Sequence, residues 1–289
     1  MVELVQIGSW RRWPWLRHGF STRRGGVSTV YGNDADLNLG WTKEDEPARV
    51  AENRRRFLEA VCSAETGVGA ETGADTTETG AEAGTDVQLV TVRQVHSATV
   101  RVLRGDEGPL ATLEGKAVLE GDGMVTAVPG LVLAAGPADC VPVLVVDTRL
   151  RVVAALHAGW RGTAAGIVEH GLATMRGEFG SRVEDLVAAV GPSIGACCYA
   201  VGEEVREKFA ERFGYADELF ERKTDAQLYV DLWEANRRQL LGAGLKDAQI
   251  TVVGECTACA RDAAGRRYFS HRGQRGVAGR MLSAVGVMK

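Results

Sequence analysis

From Val87 onward the chain falls into short apolar runs, each about as long as one strand. Val87–Val95, Thr99–Leu103, Met124–Val128, Leu131–Ala134, Val141–Val146, Arg151–Leu156, Leu186–Val190 and Ile250–Val253 are rich in Val, Leu and Ala and predict strands. In the run that ends at His157 both parities are apolar, as expected for a strand covered on both faces. Longer segments with helical periodicity lie around and between them: Pro47–Cys62, Thr163–Met175 with Thr163 as its N-cap, Glu203–Phe213, Leu232–Leu241 and a terminal Val277–Val285. Strands occur both as hairpin-like neighbours and in alternation with helices. This predicts an α/β (α+β) layered sandwich of mixed β-sheets and helices, one domain over residues 1–289.

One stretch breaks the pattern. Residues 63–86 are almost wholly Ala, Gly, Thr, Glu and Asp. Too few large side chains are present to repay ordering entropy by burial, so the segment is expected to be a mobile acidic loop.

Composition narrows the function classes. With 289 residues, 45% hydrophobic content and a net charge of −4, the chain is an ordinary globular sequence lacking the concentrated basic surface of a nucleic-acid or anionic-membrane binder. No run reaches the ~20 apolar residues of a membrane span. The first twenty residues, with tryptophans among arginines, do not read as a signal peptide. A cytoplasmic location is expected. There the six cysteines are expected to be core, metal-binding or catalytic residues, not a disulfide framework.

Candidate chemistry sits where the sequence is otherwise most apolar. His96 closes the run LVTVRQVH and shares its parity with Val90 and Val92; Cys140 lies in GPADCVPVLVV; His157 ends VVAALHAG. Such residues at strand ends suit metal ligands, and spacing alone leaves open that each is a satisfied structural side chain. In HAGWRGT, two glycines and Arg161 before a helix start at Thr163 suit an anion, or form a plain strand-to-helix turn. Arg23 and Arg24, in STRRGGVS, form a second basic, glycine-flanked loop able to hold phosphate or ribose. Cys256 and Cys259 have zinc or redox spacing. Cys197 and Cys198 would complete a four-cysteine site only if folding joined the two segments. Neither a dinucleotide glycine fingerprint nor a P-loop is present.

Taken in order, RQVHS, DGMVT, ADCVPVLVVD, HAGWRGT, GPSIGACCYAVGEEV, DLWEANRRQL and CTAC followed by YFSHRG resemble the YfiH-type laccase-domain family. That family carries the labels multicopper polyphenol oxidase, purine nucleoside phosphorylase and peptidoglycan editing factor. The resemblance spans nearly the whole chain apart from the acidic stretch. It implies a zinc bound by His96, Cys140 and His157. It also implies phosphorolysis of adenosine, inosine and S-methyl-5'-thioadenosine, with adenosine deamination as a further activity. The expected partners are purine nucleosides and phosphate, with no nucleic acid and no membrane, for a chain acting as a monomer. Arg161, with Arg23 and Arg24 as rivals, is the expected phosphate ligand. Asp122, Asp139 and Glu169 are the candidate proton-transfer carboxylates. Three other readings stand beside this one: a metal-independent cysteine hydrolase or deamidase using Cys140 and His157, a copper-dependent polyphenol oxidase, and a non-enzymatic binder of a peptidoglycan precursor. Copper is disfavoured because the chain has only five histidines.

Overall fold

Two adjacent antiparallel strands, Val141–Asp147 and Val152–Ala158, form the centre of the protein, and every residue in both is buried. The fold is given by a computed structural model that describes residues 1–63, 87–107, 115, 117–224 and 226–289. Both strands belong to a six-stranded sheet ordered Ile250–Val252, Leu186–Val190, Val141–Asp147, Val152–Ala158, Gly123–Thr126, Val100–Leu103. Its two edge strands pair in parallel and its inner pairs are antiparallel. A five-stranded sheet runs Leu4–Val5, Leu16–Ser21, Ser283–Val287, Leu131–Ala135, Gln88–Val90.

The pleat explains why the central strands are apolar at every position. Along one strand, Val152, Ala154, Leu156 and Ala158 face helices α3 (Ile167–Phe179) and α5 (Leu232–Gly242), where Ile167, Leu172, Ala235 and Leu240 meet them. Val153 and Ala155 face the other way. They join Leu16, Phe20, Leu133 and Val285 in a core between the two sheets. The far side of the five-stranded sheet is covered by α1 (Pro47–Ser63) through Phe57 and Val61, against Leu89, Val132 and Ala284. The result is a four-layer sandwich: helix, sheet, sheet, helices. Two further helices are α2 (Trp160–Ala164) and α4 (Glu203–Ala210). No helix among the described residues is long and apolar enough to cross a membrane. Of the acidic stretch, Ser63 ends α1, and residues 64–86 lie outside those described.

Three expectations need correction. Val277–Val285 is not a helix. Its last residues start the strand Ser283–Val287, which sits between two partners and is buried throughout, so covered faces conceal the period of two. The helix expected from Thr163 to Met175 is two helices. Gly166, at φ 79°, separates α2 from α3, and the N-cap of α2 is Gly159. The strand expected over Val87–Val95 is only Gln88–Val90, so His96 lies in a turn, at φ 61°.

His18 gives the fold a pH dependence of its own. It is 3% exposed, its Nε2 accepts the Ile7 N–H at 2.9 Å, and its ring lies against Trp10. Burial is the main cause that lowers its pKa, to about 4. Between pH 6.5 and 4 the unfolded chain therefore binds a proton that the folded chain refuses. This contribution is complete above about pH 6.5 and is lost as pH falls toward 4. At pH 5 the loss from this group is about 2 kcal/mol relative to pH 7. Urea unfolding at the two pH values should show a drop that is smaller by about that amount in His18→Gln; an identical drop in both proteins would contradict it.

Candidate functional site

The chain brings three side chains from separate segments to one rim of the six-stranded sheet. His157 is the next-to-last residue of Val152–Ala158, and Cys140 directly precedes the strand paired with it. His96 reaches them from the turn after Gln88–Val90. Their ligand atoms all lie within 4.8 Å of one another. The two imidazoles meet edge to face, with centroids 5.1 Å apart. His157 is buried, Cys140 half-buried and His96 exposed, so the cluster opens toward solvent on one side.

Asp122 builds this geometry from behind. Its buried carboxylate accepts the backbone N–H of His96 at 3.0 Å and of Ser97 at 2.6 Å, and the Ser97 hydroxyl at 2.7 Å. These bonds hold the His96 turn in its left-handed conformation. The same carboxylate lies 3.0 Å from His157 Nδ1. Burial pushes Asp122 up, but the His157 and Ser97 bonds outweigh it and bring its pKa down to about 2. An ionised carboxylate only accepts, so His157 Nδ1 carries the proton and Nε2 faces Cys140. Burial also pushes the Cys140 thiol up. The charge and hydrogen bonds of His157 and His96 more than reverse this, to about 6. His157 answers in the opposite sense: burial lowers it, and Cys140 and Asp122 raise it to about 9. Two imidazoles and a readily ionised thiol, with one imidazole oriented by a carboxylate, fit a zinc or similar borderline ion and leave a fourth position open.

Gly159 permits this approach. A Cβ there would lie 2.9 Å from His96 Cδ2 and 3.1 Å from Cys140 Sγ. The His96 ring is exposed at the rim, so Gly159→Ala should leave the fold intact and displace the ligands. Metal affinity should fall by about one to two decades with thermal stability nearly unchanged. Unchanged metal binding by a folded Gly159→Ala protein would show that the three side chains need not converge.

The cluster forms the floor of a cavity of about 620 Å³, within the range of small-molecule sites. Trp41, Trp160 and Tyr199 supply ring faces on its walls; Arg161, Arg272, Arg280 and His271 supply charge or polarity. The Arg161 guanidinium stacks 4.4 Å from the Trp160 ring, and Arg272 lies 5.3 Å from Tyr199. Neither arginine forms an ion pair among the described residues.

Other expected site residues lie elsewhere. Arg23 is 4% exposed and locked to Asp36 at 2.6 Å; it also donates to the Tyr31 carbonyl and lies over the Phe269 ring. Arg24 pairs with Asp262 at 2.6 Å. Neither lines the cavity, and their pairs with Asp36 and Asp262 tie the N-terminal loops together. The Thr163 hydroxyl is committed to Ala158 and Asn236, and α2 has only five residues, so the start of this helix offers no anion site of its own; Arg161 lines the cavity beside it. Glu169 pairs with Arg212 away from the cavity. Asp122 lies beneath the cluster. Of the three candidate carboxylates, only Asp139 reaches the cavity wall. It sits at φ 90°, with Oδ1 accepting the Thr257 hydroxyl at 2.7 Å and Oδ2 the Arg272 N–H at 2.7 Å.

Sequence reasoning missed Trp41, Tyr199, His271, Arg272 and Arg280 as wall residues. His271 and Arg272 fall inside the YFSHRG motif, which was the available signal.

Comparison with known proteins agrees with this architecture. The profile of the multi-copper polyphenol oxidoreductase laccase family matches residues 17–72 and 70–288. The purine nucleoside phosphorylase of Bacteroides thetaiotaomicron is 33% identical over 276 residues, covering 95% of this chain and 92% of that protein. Purine nucleoside phosphorylase YlmD of Geobacillus stearothermophilus is 35% identical over 94% of both chains. Its crystal structure superposes with a TM-score of 0.77 at 32% identity, over 95% of this chain and 93% of that one. Adenosine deaminase RL5, from an unknown prokaryotic organism, is 38% identical over 173 residues, 59% of this chain and 66% of that protein.

Proposed function

The chain belongs to the multi-copper polyphenol oxidoreductase laccase family, and we propose that it works as a zinc-dependent purine nucleoside phosphorylase with adenosine deaminase activity. Adenosine, inosine and S-methyl-5'-thioadenosine are its proposed substrates. The observation that carries this reading is the joining of a three-ligand centre to a cavity walled by aromatic rings and by Arg161 and Arg272, which form no ion pair among the described residues. Relatives named purine nucleoside phosphorylase and adenosine deaminase support it.

Trp41, Trp160 and Tyr199 offer faces against which a purine stacks. Arg161 and Arg272 offer guanidinium groups to phosphate, which attacks C1′ as the sugar gains oxocarbenium character. The departing purine needs a proton, and His271, on the cavity wall, is suited to supply it. Zinc, when held by His96, Cys140 and His157, supplies Lewis acidity at its open position. For deamination, Asp139 is the carboxylate placed to move a proton. The Thr257 hydroxyl and the Arg272 N–H hold it in position.

Copper oxidase chemistry finds little support in the remaining histidines. His18 is buried against Trp10 and His170 bonds the Ala98 carbonyl, which leaves His271 on the cavity wall, too few histidines for a set of several coppers. The geometry does favour one second reading. Cys140, His157 and Asp122 form a relay in which a thiolate could act as nucleophile without metal. Purified protein incubated with adenosine or inosine and phosphate separates the readings. The proposal expects free base and ribose 1-phosphate, with inosine also formed from adenosine. No turnover of either nucleoside by a zinc-loaded preparation would overturn it.

A further inference from the structure

A second group of thiols lies apart from the cavity floor. Cys197 and Cys198 follow the strand Leu186–Val190 by a short loop; Cys256 and Cys259 follow Ile250–Val252. These two strands pair in parallel, and the bridge Ser193–Cys256 extends that pairing. The four Sγ atoms therefore converge, all within 4.8 Å of one another, with Cys197 and Cys259 at 3.6 Å.

We propose that Cys197, Cys198, Cys256 and Cys259 form a second, structural metal site that holds one zinc ion. Zn–S bonds of about 2.3 Å in a tetrahedron put sulfurs about 3.8 Å apart, which the observed spacing brackets. That spread suits one ion and is too tight for a polynuclear cluster. A second observation points the same way. The backbone N–H of Gly195 donates to Cys256 Sγ at 3.3 Å, the kind of amide contact that supports a metal-bound sulfur. All four positions are taken by protein, which marks a closed structural centre.

The site would brace the cavity. Thr257, inside the Cys256–Cys259 turn, donates to Asp139, and Ile194 N–H donates to the Asp139 carbonyl at 2.9 Å. Asp139 directly precedes Cys140. Tying the two cysteine segments together thus fixes the strained residue next to the first centre.

The inference is independent of whether the first centre holds zinc, and the test keeps the two apart. Protein purified with reductant and without chelator is analysed for metal as wild type, as Cys140→Ala and as Cys197→Ser/Cys259→Ser. The double variant alters two exposed thiols and should stay folded. The expected zinc content is about two per chain in wild type and about one in either variant. Cobalt(II)-loaded Cys140→Ala should still show strong thiolate charge-transfer absorption, and this should vanish when the double substitution is added. Unchanged zinc content in the double variant, or a Cys197–Cys259 disulfide in the metal-loaded protein, would overturn the second site. Zinc retained in full by Cys140→Ala but reduced in the double variant would instead sink the first centre and leave this one standing.

Discussion

Cys140→Ala should abolish nucleoside phosphorolysis and release the metal of the cavity floor while leaving the fold in place. The site lies at a rim, where the strand Val141–Asp147 is held by its own ladder and core contacts and not by the thiol. A half-buried cysteine truncated to alanine costs stability only modestly. Its loss removes the one sulfur donor of the three-ligand group. Removing an outer-shell partner typically costs 10–100-fold in metal affinity or activity, and loss of a ligand should exceed that. Metal analysis and a thermal melt on the same preparation check both halves. A folded Cys140→Ala protein with unchanged phosphorolysis would contradict the assignment. Loss of activity from a wild type that never held metal would favour the cysteine nucleophile.

The second large effect concerns Arg161. Its guanidinium lies on the cavity wall, is stacked on Trp160 and pairs with no carboxylate among the described residues. If it holds the attacking phosphate, Arg161→Ala removes a charge-assisted contact worth about 1.5–3 kcal/mol. Phosphorolysis should then fall by roughly one to two decades, with a weaker response to phosphate. Adenosine deamination uses water and should fall less, and zinc content should not change. Equal losses in both reactions with an unaltered phosphate dependence would mean that Arg161 positions the nucleoside or the loop. Arg272, which also lines the cavity and lies over Tyr199, would then be the phosphate ligand to test.

Much of the fold could be read from the chain because burial on two faces leaves a strong mark. Leu186–Val190 and the two central strands are unbroken apolar runs of strand length. The same double burial hid Ser283–Val287, where glycine and small residues pack between two partner strands and no alternation survives. The strand Leu16–Ser21 was equally hard to read. It carries Arg17 and His18, and the buried imidazole is tolerated only because it stays neutral and accepts the Ile7 N–H.

The site divides along similar lines. His157 and Cys140 stood out as polar residues at the ends of apolar strands. His96 stood out too, for a reason the structure revises: it is held by a turn wrapped on the Asp122 carboxylate. Asp122 was a candidate for proton transfer because sequence shows a carboxylate but not the five groups bonded to it. Arg23 looked like a phosphate ligand because its partner Asp36, thirteen residues on, becomes a partner only when the loop folds back. The convergence of four cysteines from two parallel strand ends is a property of sheet pairing, which spacing in the chain does not encode.

A cavity that cleaves purine nucleosides with phosphate and needs zinc to do so should lose that activity with its metal. The most direct measurement is ribose 1-phosphate formation from inosine by protein stripped with chelator, then supplied with zinc or with copper. The account predicts that the stripped protein is nearly inactive, that zinc restores phosphorolysis in proportion to the amount bound, and that copper does not. A metal-free protein as active as the zinc-loaded one, or one restored by copper alone, would contradict it.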